Sequence, residues 1–244
     1  MPVNYLRTLT APERTRRSNL HLGLSLAFVA GAINAGGYLA VGEYTSHMTG
    51  VVSRMADDTA LWRIPLVAEG LASLLAFLSG AATSAILINW ARRRHSRHEY
   101  SLPLLVEAFL LLAFGVLGAT HYVIGSSMMP TVALLCFVMG WQNAMITKVS
   151  RAEIRTTHVT GLITDIGIEL GKILYWNRGG DAPDCPKVLA NRDKLGVHVM
   201  LVLSFFVGGV IGALGFQHAG YAATVPLAVL LALLSCVQLI PVRR

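Results

Sequence analysis

The sequence predicts an all-α membrane protein with six transmembrane helices, built as two inverted three-helix repeats, each with a short half-helix or interfacial helix after its first crossing. Three observations predict it. The composition is too apolar for a water-soluble domain, with 54% hydrophobic and only 14% charged residues among 244. Six apolar runs approach the roughly 20 residues that a helix needs to cross a hydrocarbon core about 30 Å thick. An ordered set of motifs also occurs twice.

Residues 1–19 read as a cytoplasmic tail carrying Arg7, Arg14, Arg16 and Arg17. The apolar run that follows is longer than a signal-peptide core and lacks a small-residue cleavage site, so it reads as a retained helix over 20–42. It ends in Ile33-Asn34-Ala35 and leads to Ser46-His47-Met48-Thr49-Gly50. The second run covers 64–90, with Glu69 near its start and Leu75-x-Phe77-x-x-Gly80 inside it. Arg92, Arg93, Arg94 and Arg97 precede the third run, 102–122, which holds Pro103-Leu104 and Glu107.

The fourth run, 129–147, restarts the series with Gln142-Asn143-Ala144 and leads to Thr157-His158-Val159-Thr160-Gly161. An amphipathic stretch follows, in which Val159, Leu162, Ile163, Ile166, Leu170 and Ile173 form one stripe while Asp165, Glu169 and Lys172 face elsewhere. Residues 177–194 read as a polar insertion with no counterpart in the first repeat. The fifth run, 195–216, contains Leu203-x-Phe205-x-x-Gly208, and the sixth, 220–240, contains Pro226-Leu227. The repeats are therefore expected over 20–122 and 129–240.

Charge sets the expected topology. Eighteen of the 20 Lys and Arg residues fall on the tails and on the loops after the second and fourth runs, leaving Arg54 and Arg63 opposite. The positive-inside rule then puts both termini in the cytoplasm of a bacterial inner-membrane protein. Three crossings per repeat turn the second over relative to the first, the same result from independent data. The +7 formal charge is thus accounted for by topology, and no nucleic-acid partner is implied. The lipid bilayer is the expected partner, and a homo-oligomer is left open.

Ser46 and Thr157 are expected N-caps. Each would place a helix N-terminus, with free N–H groups and partial positive charge, beside His47 and Thr49 or His158 and Thr160, with Gly50 and Gly161 permitting close packing. Two such ends could bind an anionic group, and the alternative is a pair of structural caps. Asn34 and Asn143, polar within apolar runs, suit either a ligand or an interhelical hydrogen bond. Glu69 and Glu107 are carboxylates among apolar neighbours, costly at membrane depth unless protonated, paired or hydrated, which points to proton or cation coupling or else to a headgroup position. Gly80 with Ser84, and Gly208 with Gly212, read as helix packing.

Three cysteines without CxxC spacing indicate neither a disulfide framework nor a metal site, and His47 or His158 with Asp57, Asp58 or Asp165 lacks ligand spacing. Hydrolase and nucleotide signatures are missing, so no cofactor and no enzymatic role are expected. Inverted repeats point by analogy to a secondary transporter of a small polar or anionic solute. The alternatives are a membrane-embedded enzyme acting on a lipid-borne substrate, or a non-catalytic sensor or scaffold.

With these motifs in view, the chain resembles the YoaK-like family of bacterial membrane proteins, domain of unknown function 1275, over roughly residues 20–240. The resemblance rests on Gly31-Ala32-Ile33-Asn34-Ala35-Gly36-Gly37-Tyr38, Ser46-His47-Met48-Thr49-Gly50, Glu107 and Thr157-His158-Val159-Thr160-Gly161. The family pattern commonly has Asp where this chain has Asn34. The resemblance implies the fold and a membrane location, and no activity, substrate or cofactor.

Overall fold

Apolar runs become helices in hydrocarbon because a backbone without water must pair its N–H and C=O groups within its own turns. The computed structural model describes residues 16–94, 100–124, 127–149, 157–176 and 187–239, which contain helices and no strand. In order these are α1 (Arg16–Val41), α2 (Met48–Ala60), α3 (Ile64–Arg93), α4 (Ser101–Ile124), α5 (Met129–Val149), α6 (Val159–Leu174), α7 (Arg192–Ala219), a 3-10 turn (Gly220–Ala223) and α8 (Thr224–Leu239).

Five stretches have the length and apolarity to cross a membrane: Arg17–Val41, Ile64–Arg93, Ser101–Ile124, Met129–Lys148 and Arg192–Ser235. The last includes α7, the 3-10 turn and most of α8, and it is broken at Gly220, whose φ of 55° glycine adopts without steric cost. The run expected from 220 therefore becomes helical only at Thr224, and Pro226 sits in the first turn of α8, where its missing N–H costs nothing. Most of the insertion expected at 177–194 lies outside the described residues, and its end from Arg192 is already the first turn of α7.

The short helices appear where the repeated motif places them. With 13 and 16 residues, α2 and α6 are about 20 and 24 Å long, shorter than the ~30 Å core.

Polarity is distributed as in a membrane protein. Ile86, Phe109, Val116 and Phe206 point outward with 65–69% of their surface exposed, whereas Ser84, Ser101, Glu107 and Gln142 are completely enclosed. An apolar exterior of that extent suits lipid rather than water.

Helix α1 packs on α7, α3 on α5 and α4 on α8, while α2 lies on α3 and α6 on α7. Glycine sets two of these crossings. A Cβ at Gly31 would strike the Phe205 carbonyl and one at Gly208 the Phe28 carbonyl. At the α3–α5 crossing the same holds for Gly140 against the Phe77 carbonyl and Gly80 against the Phe137 carbonyl. Backbones this close recover packing and dipolar contacts where lipid offers no hydrophobic drive for association.

Candidate functional site

Each repeated motif begins a short helix, and the capping differs from expectation. The N-caps are His47 and His158, with φ/ψ of −92°/67° and −84°/53°, and neither side chain caps its helix. Their carbonyls accept the first intrahelical bonds, from Val51 N and Leu162 N, both at 3.1 Å. The Ser46 and Thr157 hydroxyls are turned away from the helix ends. Ser46 Oγ donates to Asn34 Oδ1 at 2.8 Å, and Thr157 Oγ1 donates to Asn143 Oδ1. Asn143 also returns its amide to the Met139 carbonyl at 2.9 Å. An asparagine near the end of a long helix thus holds the loop that starts the next short one, because an Asn oxygen in an apolar segment needs a donor and the hydroxyl is the nearest.

The glycines serve the histidines. A Cβ at Gly50 would meet the His47 ring and one at Gly161 the His158 ring, so each imidazole lies over the first turn of its own helix. Both histidines, Thr49 and Thr160 are exposed, in the same pattern in both motifs. Among the described residues no hydrogen bond joins one motif to the other. What the arrangement offers is two helix starts whose first-turn N–H groups are free of side-chain caps, each with an imidazole and a threonine hydroxyl alongside.

A cavity of about 900 Å³ opens beside α2, within the size range of small-molecule sites. It runs from the end of α1 at Val41 and the start of α5 at Met129 to Ser73, about 14 Å along α3 from its first residue. Its wall carries four carboxylates and two guanidiniums. Arg54 pairs with Glu43, and Arg63 Nη1 lies 3.7 Å from Asp58 Oδ1. Asp57 and Glu69 have no ion-pair partner among the described residues, so the cavity is net acidic. Glu69 is therefore an exposed wall residue rather than a buried one.

At the matching positions of the second half the side chains are larger. Matching Leu75-x-Phe77-x-x-Gly80 to Leu203-x-Phe205-x-x-Gly208 pairs Gly70 with His198 and Ser73 with Leu201. Gly70 and Ser73 line the cavity, Ser73 with 4% of its surface exposed, and His198 and Leu201 are 5% and 0% exposed. Asp165 Oδ2 lies 3.3 Å from Lys194 Nζ and 3.7 Å from His198 Nδ1.

Glu107 does not reach headgroups. It is 0% exposed, neither carboxyl oxygen has a hydrogen-bond partner, and Gln142 lies beside it. Gln142 donates to the Leu26 carbonyl at 3.4 Å, and its own oxygen has no partner.

A family model described as a protein of unknown function, DUF1275, matches residues 22–237, nearly the whole chain. The chain belongs to the DUF1275 family. No curated protein and no solved structure matches it.

Within this DUF1275 chain two further acids hold corresponding places that motif reading passed over. Asp58 and Glu169 each lie eleven residues after the motif histidine, and they are 4% and 2% exposed. Glu169 Oε2 accepts from Asn191 N, the N-cap of α7, at 2.7 Å, and Oε1 accepts from Lys172 Nζ at 2.8 Å. Asp58 faces Arg63, the N-cap of α3. Both acids thus tie a short helix to the start of the long helix after it. The Lys172 ammonium, then the Asn191 N–H, hold the Glu169 carboxyl below the usual carboxylate range. The shared eleven-residue offset was the available signal. No group of three or more His, Cys, Asp or Glu residues suited to a metal occurs among the described residues.

Proposed function

We propose that this chain is a secondary transporter, a permease for a small polar solute in the bacterial inner membrane, with six crossings, both termini cytoplasmic and two inverted three-helix repeats. The observation that carries the reading is the doubled contact set. Ser46 on Asn34 repeats as Thr157 on Asn143, and the Gly31–Gly208 crossing repeats as Gly140–Gly80. Exchanging the halves turns each contact into its counterpart. Three crossings per half, with α7 and α8 counted separately about Gly220, turn the second half over, in agreement with the charge asymmetry. Because α1 is held by α7 and α5 by α3, the halves are interlaced, as in transporters that alternate about a shared site.

The cavity beside α2 supports the same reading. A cavity that opens beside α2 and ends within the bundle at Ser73 is what one state of an alternating cycle requires. The uncapped starts of α2 and α6 favour an anionic group on the solute, while the acidic cavity disfavours a bare anion. A zwitterion, or a polar solute with both kinds of group, fits both.

Cysteine accessibility tests this. In a variant without Cys136, Cys185 and Cys236, single cysteines at Ser73 and Leu201 are treated with a membrane-impermeant maleimide in spheroplasts and in inverted vesicles. Ser73→Cys reacts from the periplasmic face and Leu201→Cys, more slowly, from the cytoplasmic face. Labelling of Ser73→Cys from the cytoplasmic face overturns the orientation, and a Leu201→Cys that reacts from neither face overturns alternation. Counterflow in proteoliposomes, with amino acids, small carboxylates and amines as probes, then identifies the solute class.

A further inference from the structure

The two halves form an internal control. Where one half carries a feature that the other replaces by hydrocarbon at the matching position, the fold does not require that feature. Asn34 and Asn143 match, as do Gly31 and Gly140, Gly80 and Gly208, and Asp58 and Glu169. The pair Glu107 and Gln142 does not. Matching Pro103-Leu104 to Pro226-Leu227 puts Leu230 opposite Glu107, and matching Ile33-Asn34-Ala35 to Gln142-Asn143-Ala144 puts Ile33 opposite Gln142. Ile33 lies in the buried core, and Leu230 is partly buried and packed against it. The second half thus completes the same architecture with leucine and isoleucine where the first has a carboxyl and a carboxamide.

The polar pair is costly where it stands. Glu107 has no exposed surface and both of its oxygens are unpartnered, and the Gln142 oxygen is enclosed and unpartnered as well. A bare carboxylate in such a place would cost several kcal/mol. A carboxyl that retains its proton removes the charge, and its O–H is a donor for the unpartnered Gln142 Oε1, which leaves one neutral carbonyl oxygen unpartnered. A hard metal cation asks for about six oxygens, and the side chains of this pair offer three. Against α4 pack α5, α8, the 3-10 turn and α3, and among the described residues none brings a charged group to Glu107.

Position adds a second argument. Glu107 lies about 9 Å from the start of α4 and Gln142 about 10 Å from the end of α5, by helical rise. The cavity is at the opposite end of α5, at Met129 and Val132. The pair therefore stands in the half of the bundle that the open face does not reach.

We propose that Glu107, with Gln142 as its positioning residue, is a proton-binding site that holds its proton in the conformation described and releases it to water when the other face opens. As a coupling site this rests on the transport reading. As a proton site it stands without it. The balance is simple: the carboxyl O–H donates to the Gln142 oxygen while closed, and on opening the O–H bond breaks, a water takes the proton and a carboxylate remains.

Infrared spectroscopy of the purified full chain under a pH titration tests the site. The expected result is a protonated-carboxyl C=O band that disappears reversibly as pH rises, is missing in Glu107→Gln, and shifts to higher frequency in Gln142→Leu because its acceptor is gone. A band that never titrates while the protein stays folded, or one unaffected by Glu107→Gln, overturns the proposal. Glu107→Leu, which copies the second half, should melt at or above the wild-type temperature, and a large loss of Tm would make the group structural and overturn it too. Titration of Glu107 with no counterflow of any probe keeps the proton site and removes the transport reading. Proton-coupled counterflow undiminished in Glu107→Gln does the reverse.

Discussion

Adding one methyl group at the glycine crossings should separate them into two independent units. At Gly80 the new Cβ meets the Phe137 carbonyl, and at Gly140 it meets the Phe77 carbonyl, both of them main-chain atoms that cannot turn aside. Overpacking against side chains costs ~1–3 kcal/mol, and a backbone obstacle places these substitutions at about 2–3 kcal/mol each. At about 2–4 °C per kcal/mol for a chain of this size, each alanine lowers Tm by roughly 4–12 °C. Gly80→Ala and Gly140→Ala act on the same α3–α5 crossing, so the first already forces the helices apart and the double variant should lose at least about 1 kcal/mol less than the sum. Gly80→Ala with Gly31→Ala touches two different crossings and should add to within ~0.5 kcal/mol. Gly167 and Gly171 in α6 face open space where a Cβ would stand, so alanine there should stabilise by about 0.5–1 kcal/mol through helix propensity alone. Melting of the purified protein in one detergent, followed by tryptophan fluorescence, reads all of these. Additivity at the shared crossing, or equal losses at Gly80 and Gly167, would refute the crossing geometry.

Asn34→Ala and Asn143→Ala each remove the acceptor of a loop hydroxyl and should cost about 1 kcal/mol by thermal melt, whereas Asn34→Asp keeps the acceptor and should cost less. Gly50→Ala and Gly161→Ala push against the His47 and His158 rings, so each should lower Tm and be rescued by alanine at its own histidine; rescue by the other histidine would contradict the local packing. Glu169 is held below its ordinary range in the folded protein, so its stabilisation is complete above the unfolded carboxyl pKa and is lost as pH falls through the lower folded value. Glu169→Gln should therefore melt earlier than wild type near neutral pH, with the gap closing in acid, and a gap that widens in acid would show the sign to be wrong.

Most of the fold was legible because its determinants are local. Run length, the loss of charge over those runs and the doubled (S/T)-H-x-T-G motif predict the long helices and both short ones, and their bounds agree within a few residues. The 3-10 turn was missed because Gly220 sits inside an apolar run, and composition does not record a φ of 55°. The capping differs from expectation for a similar reason. Ser and Thr rank high as N-caps, but here a competing acceptor, the Asn oxygen, is supplied by another helix, and one sequence position later the histidine takes the cap without bonding to it. The cavity was not legible at all. Its wall comes from α1, α2, α3 and α5, and no contiguous stretch announces it. The burial of Glu107 was legible only as a cost, since distance from a helix end does not tell which side faces the bundle.

The doubled sequence separates two kinds of polar residue that look alike when read singly. Asn34, Asn143, Asp58 and Glu169 recur in both halves and each has a structural partner within reach, so their recurrence follows from the fold. Glu107 and Gln142 occur once, with three carboxyl and carboxamide oxygens that have no partner, and the matching positions of the other half are apolar. A purely structural role for the second kind would leave the second half deficient, yet Ile33 lies in the core and Leu230 packs against it. On the proposed reading, asymmetry between the halves, rather than polarity as such, separates residues that build this DUF1275 protein from those that use it. The same criterion applied to the cavity selects Glu69, since matching Phe77 to Phe205 sets it opposite Val197. Glu69→Val, which copies the second half, should leave Tm nearly unchanged while reducing the cavity's preference for cationic over anionic maleimides at a Ser73→Cys probe; an unchanged preference would show that the field in the cavity comes from Asp57 instead.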